Sequence, residues 1–473
     1  MSKNVEEHLV KDRLEQLKCH FTWELFIEDT EILDLENRIL EEIQFLDTKY
    51  NVGIHNLLAY VKHLNGQNEE ALKSLKEAED LIQQEHADQS DLRSLVTWGN
   101  YAWVYFHMGR LTETLTYLDK VENTCKKFAN LSRNRMECPE TKCEEGWALL
   151  KCGGKNYERA KACFEEVLEV DPENPESSTG YAITLFRLDG LITAKQGEHG
   201  FSLYPLRQAI RLNPGDAYIK VLLALKLQEA GQEAEGEKYI EEALTSMSSQ
   251  TYVWRYAAKF YRRNDSRDKA LQLLNRALQA APASVVLHHQ IGLCYKEKVI
   301  QIKKATNNQP RGRDRENVNE MIRLAISHFE FAVKQKPTFE TAYLHLAKMY
   351  IEAGDYRKAE DTYQKVLCMK PVTKEKQQDI YFHYGHFQEF QKKSDTDAII
   401  QYIKVLKIEN ASFSRDKSLS SLEKLALRKL RRNESDVESL SLLGFVYKCK
   451  GKMNEALEYY ERAIKLAADL ENL

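Results

Sequence analysis

Residues 254–282 read WRYAAKFYRRNDSRDKALQLLNRALQAAP, and the placing of small and aromatic side chains within them decides the fold. Trp254, Ala258 and Tyr261 stand four and three residues apart, as do Ala270, Leu274 and Ala277, and Pro282 closes the stretch. Apolar residues at that spacing share one helix face, so the stretch predicts two antiparallel helices. The pattern returns in YLHLAKMYIEAGDYRKAEDTYQKVLCMKP with Ala347, Tyr350, Gly354, Ala359, Tyr363 and Pro371. It returns again in LLGFVYKCKGKMNEALEYYERAI with Gly444, Tyr447, Gly451, Ala456, Tyr460 and Ala463.

This is the spacing of the tetratricopeptide repeat, one helix pair in about 34 residues. Weaker copies carry Ala59, Gly66 and Ala71; Trp98, Ala102, Tyr105 and Gly109; Ala148, Ala160, Phe164 and Pro172; and Ala224, Gly231 and Ala243. Together they predict an all-α superhelix of about nine or ten helix pairs, with a concave surface lined by the first helix of each pair. Four segments are expected: an N-terminal helical segment over 1–50, N-terminal repeats over 51–245, central repeats with an inserted helix or loop over 246–372, and C-terminal repeats over 373–473. Two insertions lengthen the period, LDGLITAKQGEHGFSLYPL between Tyr181 and Ala209, and a stretch containing KKATNNQPRGRDREN between Tyr295 and Ala325. Within the second, QPRGRDREN reads as a solvated loop, with direct ligand contact as the alternative.

Composition limits the function classes. Hydrophobic residues make up 43% and charged residues 30%, with only 9 Pro and 20 Gly, which suits a helical globular chain. The start, MSKNVEEHLVKDRLEQL, is a charged amphipathic helix without a signal core, and no apolar run is long enough to span a bilayer; a cytoplasmic protein without membrane association is expected. The 9 cysteines are scattered, and Cys138 and Cys143 in CPETKC lack zinc-knuckle spacing, so reduced thiols and no metal are expected. A net charge of −4 gives no global attraction for nucleic acid. Any polyanion site must be local and enclosed.

On the inner face of the best repeat, the first helix presents Tyr252, Arg255, Lys259 and Arg262, and the following repeat presents His289 and Gln290. Cations beside aromatic, imidazole and amide groups suit the phosphates and stacked bases of single-stranded RNA; in any one repeat they also suit a solvated surface. A second cluster surrounds EEGWALLKCGGKNYERA. Lys151 takes the position at which other repeats carry Tyr105, Tyr261, Tyr295, Tyr350 or Tyr447. A buried unpaired ammonium is too costly to be a packing choice, so either an anion belongs there or the register shifts. Trp147 by itself suits a core; with Lys151, Tyr157, Glu176, Ile183 and Arg187 it makes a flat ring, an apolar wall, a carboxylate and cations suited to a purine and its phosphates. Catalytic patterns are missing: there is no HExxH, KCGGKN follows a helix rather than a strand, and His383, His386, His288 and His289 lack further ligands at a recognised spacing. No enzyme and no cofactor are expected.

Four stretches carry a resemblance: CHFTWEL, DLENRILEEIQFLDTKYNVGIHNLLAYVKHL, CEEGWALLKCGGKNYERAKACFEEVLEVDPENPES and SSQTYVWRYAAKFYRR. In them the chain resembles the interferon-induced proteins with tetratricopeptide repeats, most nearly the capped-RNA-binding branch. The resemblance implies a basic tunnel that takes the 5′ end of non-self single-stranded RNA, with a cap lacking first-nucleotide 2′-O methylation or, in some members, a 5′-triphosphate, and withholds it from translation. It implies that Trp147 stacks on 7-methylguanine, with Leu46 and Ile183 as walls, Thr48 nearby and Glu176 on the base edge. Arg38, Lys151 and Arg187 would hold the phosphates, Tyr157 and Arg187 would crowd the first ribose, and Tyr218, Arg255, His289 and Gln290 would hold the first nucleotides. Glu42 and Asp216 replace amides of the best-known cap binder; Glu42 opposes phosphate, whereas Asp216 would favour the cationic methylated base. Tyr460 and Ile464 resemble a self-association element, implying homo-oligomers and assembly with paralogues, with no DNA partner. The alternative is a protein scaffold or chaperone adaptor, whose clamp Asn100 and Asn56 only partly match.

Overall fold

The computed structural model describes residues 3–27, 32–45, 52–129, 138–196, 201–246, 251–369 and 373–471. They divide into two compact units, Met1–Pro282 and Ala283–Leu473. The first holds α1 (Lys3–Glu15), α2 (Ile32–Phe45), α3 (Val52–Leu64), α4 (Asn68–Glu85), α5 (Ser90–His107), α6 (Leu111–Ala129) and α7 (Pro139–Lys151). It continues with α8 (Tyr157–Val170), α9 (Pro175–Gln196), α10 (Leu203–Leu212), α11 (Ala217–Glu229), α12 (Glu233–Ser246), α13 (Thr251–Arg263) and α14 (Arg267–Ala280). The second holds α15 (Val285–Ala305), α16 (Arg313–Gln335), α17 (Glu340–Glu352), α18 (Tyr356–Leu367) and α19 (Lys374–Phe387). It ends with α20 (Asp395–Lys407), α21 (Phe413–Leu430), α22 (Val437–Cys449) and α23 (Met453–Glu471).

No strand occurs among the described residues. The antiparallel pairs are α3/α4, α5/α6, α7/α8, α9/α10, α11/α12 and α13/α14 in the first unit, and α15/α16, α17/α18, α19/α20 and α22/α23 in the second. The turn between α17 and α18 shows why the pairs form. Gly354 adopts φ +77°, a left-handed conformation open to glycine at little cost. The Asp355 amide then reaches back to the Tyr350 carbonyl at 2.9 Å, and the Asp355 side chain caps α18 by accepting from the Lys358 amide at 3.1 Å. Both helix ends are satisfied within two residues.

The small residues of the pattern are seats for aromatic rings. A Cβ added at Gly146 or Gly180 would stand 2.9 or 2.3 Å from the Phe164 ring, which is fully buried between α7 and α9. Gly292 seats Phe329 and Gly444 seats Tyr460 in the same way, each with a hypothetical Cβ at 2.7 Å. Glycine permits the close crossing; the ring fills it.

The insertion between Tyr295 and Ala325, expected as a helix or a loop, is mostly helical. It lengthens α15 and α16 to 21 and 23 residues, against 13 and 14 in α13 and α14. QPRGRDREN is exposed, but only its first residues form the turn and Arg313 already opens α16. Val318 and Ile322, one turn apart, bury against Val299, with Ile302, Met321 and Ile326 around them, so the extension has its own small core. No helix among the described residues is long and apolar enough to cross a membrane.

Candidate nucleic-acid interface

Lys151, the last residue of α7, is not unpaired. Its ammonium contacts the Glu42 carboxylate of α2, 109 residues away in sequence, and both side chains are largely covered, at 15% and 19% exposure. The same ammonium lies 5.5 Å from the centroid of the Trp147 ring. Trp147 in turn stands edge-on to Phe164, centroids 5.5 Å apart, with its Nε1 buried and without a hydrogen-bond partner. The core and ligand readings of Trp147 therefore meet in one residue, half in the seam and half in the cluster. Ile183 is buried on α9. Arg38 is held by Asp34 one turn away, Nε to Oδ2 at 3.3 Å, so Lys151 is the cation that neutralises Glu42. Leu46 and Thr48 lie outside the described residues.

Glu176, near the start of α9, belongs to a buried acidic group. Arg93 Nη1 of α5 stands 3.9 Å from its Oε2. Burial raises the Glu176 carboxyl, offset in part by Arg93. Glu144 of α7 lies close enough to feel Glu176; burial pushes its carboxyl up to about 7, against a 2.8 Å hydrogen bond from Asn56 Nδ2. One guanidinium thus serves two carboxylates, an arrangement that favours a cationic or donor-rich base edge. Asp216 N-caps α11, accepting from the Ile219 amide at 3.0 Å, so one of its oxygens is committed to the helix end.

A concentration of cations is built by α9, α11 and α13. Arg187 Nη2 donates to the Tyr218 hydroxyl at 3.2 Å, and Tyr218 donates onward to Tyr256. Arg255 lies over the rings of Tyr252 and Tyr256, 4.6 and 4.9 Å from their centroids. Among the described residues neither Arg187 nor Arg255 is in a carboxylate ion pair; phenols surround them instead. Burial would push the Tyr256 phenol up, but the two guanidiniums outweigh it and hold it down at about 7. The same phenols, Tyr256 first and Tyr218 next, raise the Arg187 guanidinium, and Tyr157 adds to them. Lys259 is lowered by burial and then by Arg263, while Arg262 is half-buried on the same helix. Burial, followed by the Glu42 carboxylate, raises the Tyr252 phenol to about 12. Trp147, Lys151, Glu42, Tyr252, Arg255, Tyr256 and Arg187 are therefore successive neighbours in one network inside the first unit.

His289 and Gln290 belong to the second unit. His289 is buried on α15, with Nε2 3.0 Å from Nδ1 of His345 and its ring 4.7 Å from Phe339; Gln290 beside it is half-buried. The asparagines weighed for a chaperone clamp have internal partners: Asn100 bonds the His20 backbone and ring, and Asn56 bonds Thr97 and Glu144. No group of three or more potential metal ligands occurs among the described residues.

The tetratricopeptide-repeat family models match residues 153–174, 342–376 and 437–470. The chain is 72% identical over 472 residues to the human antiviral innate immune response effector IFIT1, covering 100% of this chain and 99% of the relative. It is 44% identical over 469 residues to the human interferon-induced protein with tetratricopeptide repeats 2, covering 98% of this chain and 97% of that one. The chain belongs to the interferon-induced proteins with tetratricopeptide repeats. A solved structure of the human IFIT1 dimer with m7Gppp-AAAA matches it with a TM-score of 0.88 and 72% identity, covering 97% of this chain and 100% of that one.

In this member of the interferon-induced tetratricopeptide-repeat proteins, three parts of the cluster were not singled out from sequence. Glu144 stands one turn before Trp147 on the same helix face, and Tyr256 one turn after Tyr252, so helical spacing was a usable signal for both. Arg93 carried none. At the C-terminal end, Tyr460 packs inward on Gly444, whereas Met453, Leu457 and Ile464 are exposed at 62%, 58% and 69%. The outward apolar face of α23 therefore includes Ile464 and Leu457 and leaves out the Tyr460 ring.

Proposed function

We propose that this chain is a cytoplasmic antiviral RNA-binding protein that takes the 5′ end of non-self single-stranded RNA and blocks its translation, without catalysing a reaction. Its preferred ligand is a cap lacking 2′-O methylation on the first nucleotide; a bare 5′-triphosphate is a weaker one. The observation that carries this reading is the pair of guanidiniums, Arg187 and Arg255, held by phenols and by no carboxylate among the described residues, in the unit that also sets Lys151 beside Trp147. In that assignment Trp147 stacks on the base between Ile183 and Leu46, near Thr48. Glu176, with Asp216, favours the cationic base edge. Arg38, Lys151 and Arg187 take the phosphates; Tyr157, Tyr218, Tyr252, Arg255, Lys259 and Arg262 take the first nucleotides. The capped oligonucleotide in the human IFIT1 structure supports the ligand class, and the dimer in that structure supports self-association, for which the exposed α23 face is the candidate surface, with paralogues as further partners.

The deciding experiment compares matched RNAs bearing a triphosphate, a cap with unmethylated ribose and a cap with methylated ribose. A packed wall cannot open freely to admit a methyl group; overpacking costs about 1–3 kcal/mol, so methylation is expected to weaken binding roughly ten- to a hundredfold. Equal binding of the two caps would remove the self-versus-non-self mechanism.

Glu42 sets the balance between the two kinds of RNA end. It occupies the Lys151 ammonium that a phosphate would otherwise engage. Glu42→Gln is expected to tighten triphosphate RNA by roughly tenfold or more, since a nearby like charge costs on the order of 1–4 kcal/mol at these separations. Capped RNA, with less negative charge at its end, is expected to gain less. A gain absent from both titrations, or larger for capped RNA, places Glu42 away from the phosphates.

A further inference from the structure

A second concentration of basic side chains lies within Ala283–Leu473, on the facing sides of α17 and α19. A cavity of ≈ 110 Å³ opens there, with Leu344 and Ile380 as its apolar wall. That is several times the roughly 10–15 Å³ that admits one water. His345 and Lys348 line it from α17, and Lys376 and His383 from α19. Lys348 Nζ donates to His383 Nε2 at 3.0 Å, and His345 Nδ1 stands 3.0 Å from the His289 ring on α15.

The two carboxylates on the cavity wall have partners of their own. Glu340 pairs with Lys376 at 3.3 Å, and Asp379 accepts from the Ser414 hydroxyl. Among the described residues Lys348 is in no carboxylate ion pair; its hydrogen-bond neighbour is an imidazole. Burial, followed by repulsion from Lys296 and opposed in part by the Asp379 carboxylate, lowers the Lys348 ammonium to about 8, and burial, followed by Lys348, lowers His383 to about 3. A covered lysine beside other bases, with no acid bonded to it, gains most from an anion.

We propose that this cavity is a phosphate-binding subsite, with the Lys348 ammonium as its central donor and the His383 and His345 imidazoles on either side. The phosphate can come as the free anion or as a phosphodiester of a single strand; the recognising chemistry is the same. Binding would turn the Lys348 ammonium from His383 toward the anion and leave the imidazole to donate its own N–H.

The test uses the full chain carrying ¹³C-labelled histidine, with the His383 and His345 resonances assigned from His383→Gln and His345→Gln. Inorganic phosphate is expected to move both resonances saturably, with a Kd in the millimolar range. Lys348→Met should weaken that response about tenfold or more, and Lys348→Arg, which keeps the charge, should retain it. A tetra-adenylate with a 5′-hydroxyl, which carries no terminal phosphate or cap, separates the sources. If it displaces phosphate from these resonances, the strand is the ligand; if it does not, the free anion is. A His383 resonance that stays in place on phosphate addition to the unmodified protein overturns the proposal, as does an equal response in folded Lys348→Met. The unmodified protein decides the matter by itself if the variant does not fold.

Discussion

Arg187→Ala is expected to weaken binding of capped RNA by roughly a hundredfold or more while leaving the melting temperature nearly unchanged. Truncating one partner of a covered charge pair costs about 2–5 kcal/mol in complexes, and Arg187 is the guanidinium best placed to meet a phosphate. In the free protein it has no carboxylate to leave stranded; its hydrogen-bond partner is the Tyr218 hydroxyl. The substitution also has a signature independent of RNA. Tyr256 is held down at about 7 against burial by Arg187 and Arg255. With Arg187 gone, burial regains weight, so the tyrosinate absorbance that grows near neutral pH in the unmodified protein should appear only at higher pH. A variant that unfolds, or one that binds RNA normally with the tyrosinate transition unmoved, would return Arg187 to a structural role.

Phe164→Ala is expected to destabilise the first unit by about 3–5 kcal/mol, the usual range for emptying a buried aromatic site. The ring is fully buried, with Gly146 and Gly180 shaped around it, and no neighbouring side chain can collapse into the space without losing its own packing. Trp147 stands edge-on to the same ring. Cap affinity in the surviving folded fraction is therefore expected to fall as well, because the indole loses the surface that orients it. Chemical denaturation gives the first quantity, and capped-RNA titration well below the transition gives the second. A loss under about 1 kcal/mol would mean that the crossing tolerates a cavity and that the glycines are not seats for the ring.

The two variants separate two kinds of information. The seat under Phe164 is readable in the chain itself: glycine or alanine in one helix and an aromatic in the next recur because each helix pair is a local unit, folded by residues within a few turns of one another. That is why the helix pairs and the stripe Tyr252, Arg255, Lys259 and Arg262 follow from spacing. Spacing leaves the insertion before Ala325 open between helix and loop because its apolar residues, Val299, Val318 and Ile322, lie on two different helices and form a stripe only when these pack. Tyr460 shows a related effect: spacing puts it one turn from Ile464, and Gly444 on the preceding helix seats the ring while Ile464 stays exposed.

Charge is where local pattern ends. Lys151 reads as an anomaly because its counter-charge, Glu42, lies on a helix outside the repeats, and no periodicity within α7 announces it. Arg93 shared between Glu144 and Glu176, and Arg187 and Arg255 held by phenols rather than acids, are products of which helices stack on which. An apolar face is determined by side chains on one helix, since burying area needs no particular partner. A charged or hydrogen-bonding group needs one at a set distance and angle, and only the assembled stack supplies it. The sequence by itself therefore determined the repeat architecture and the cationic character of the inner helices. The tertiary structure decided which of those cations are already neutralised, and which remain for an anionic ligand.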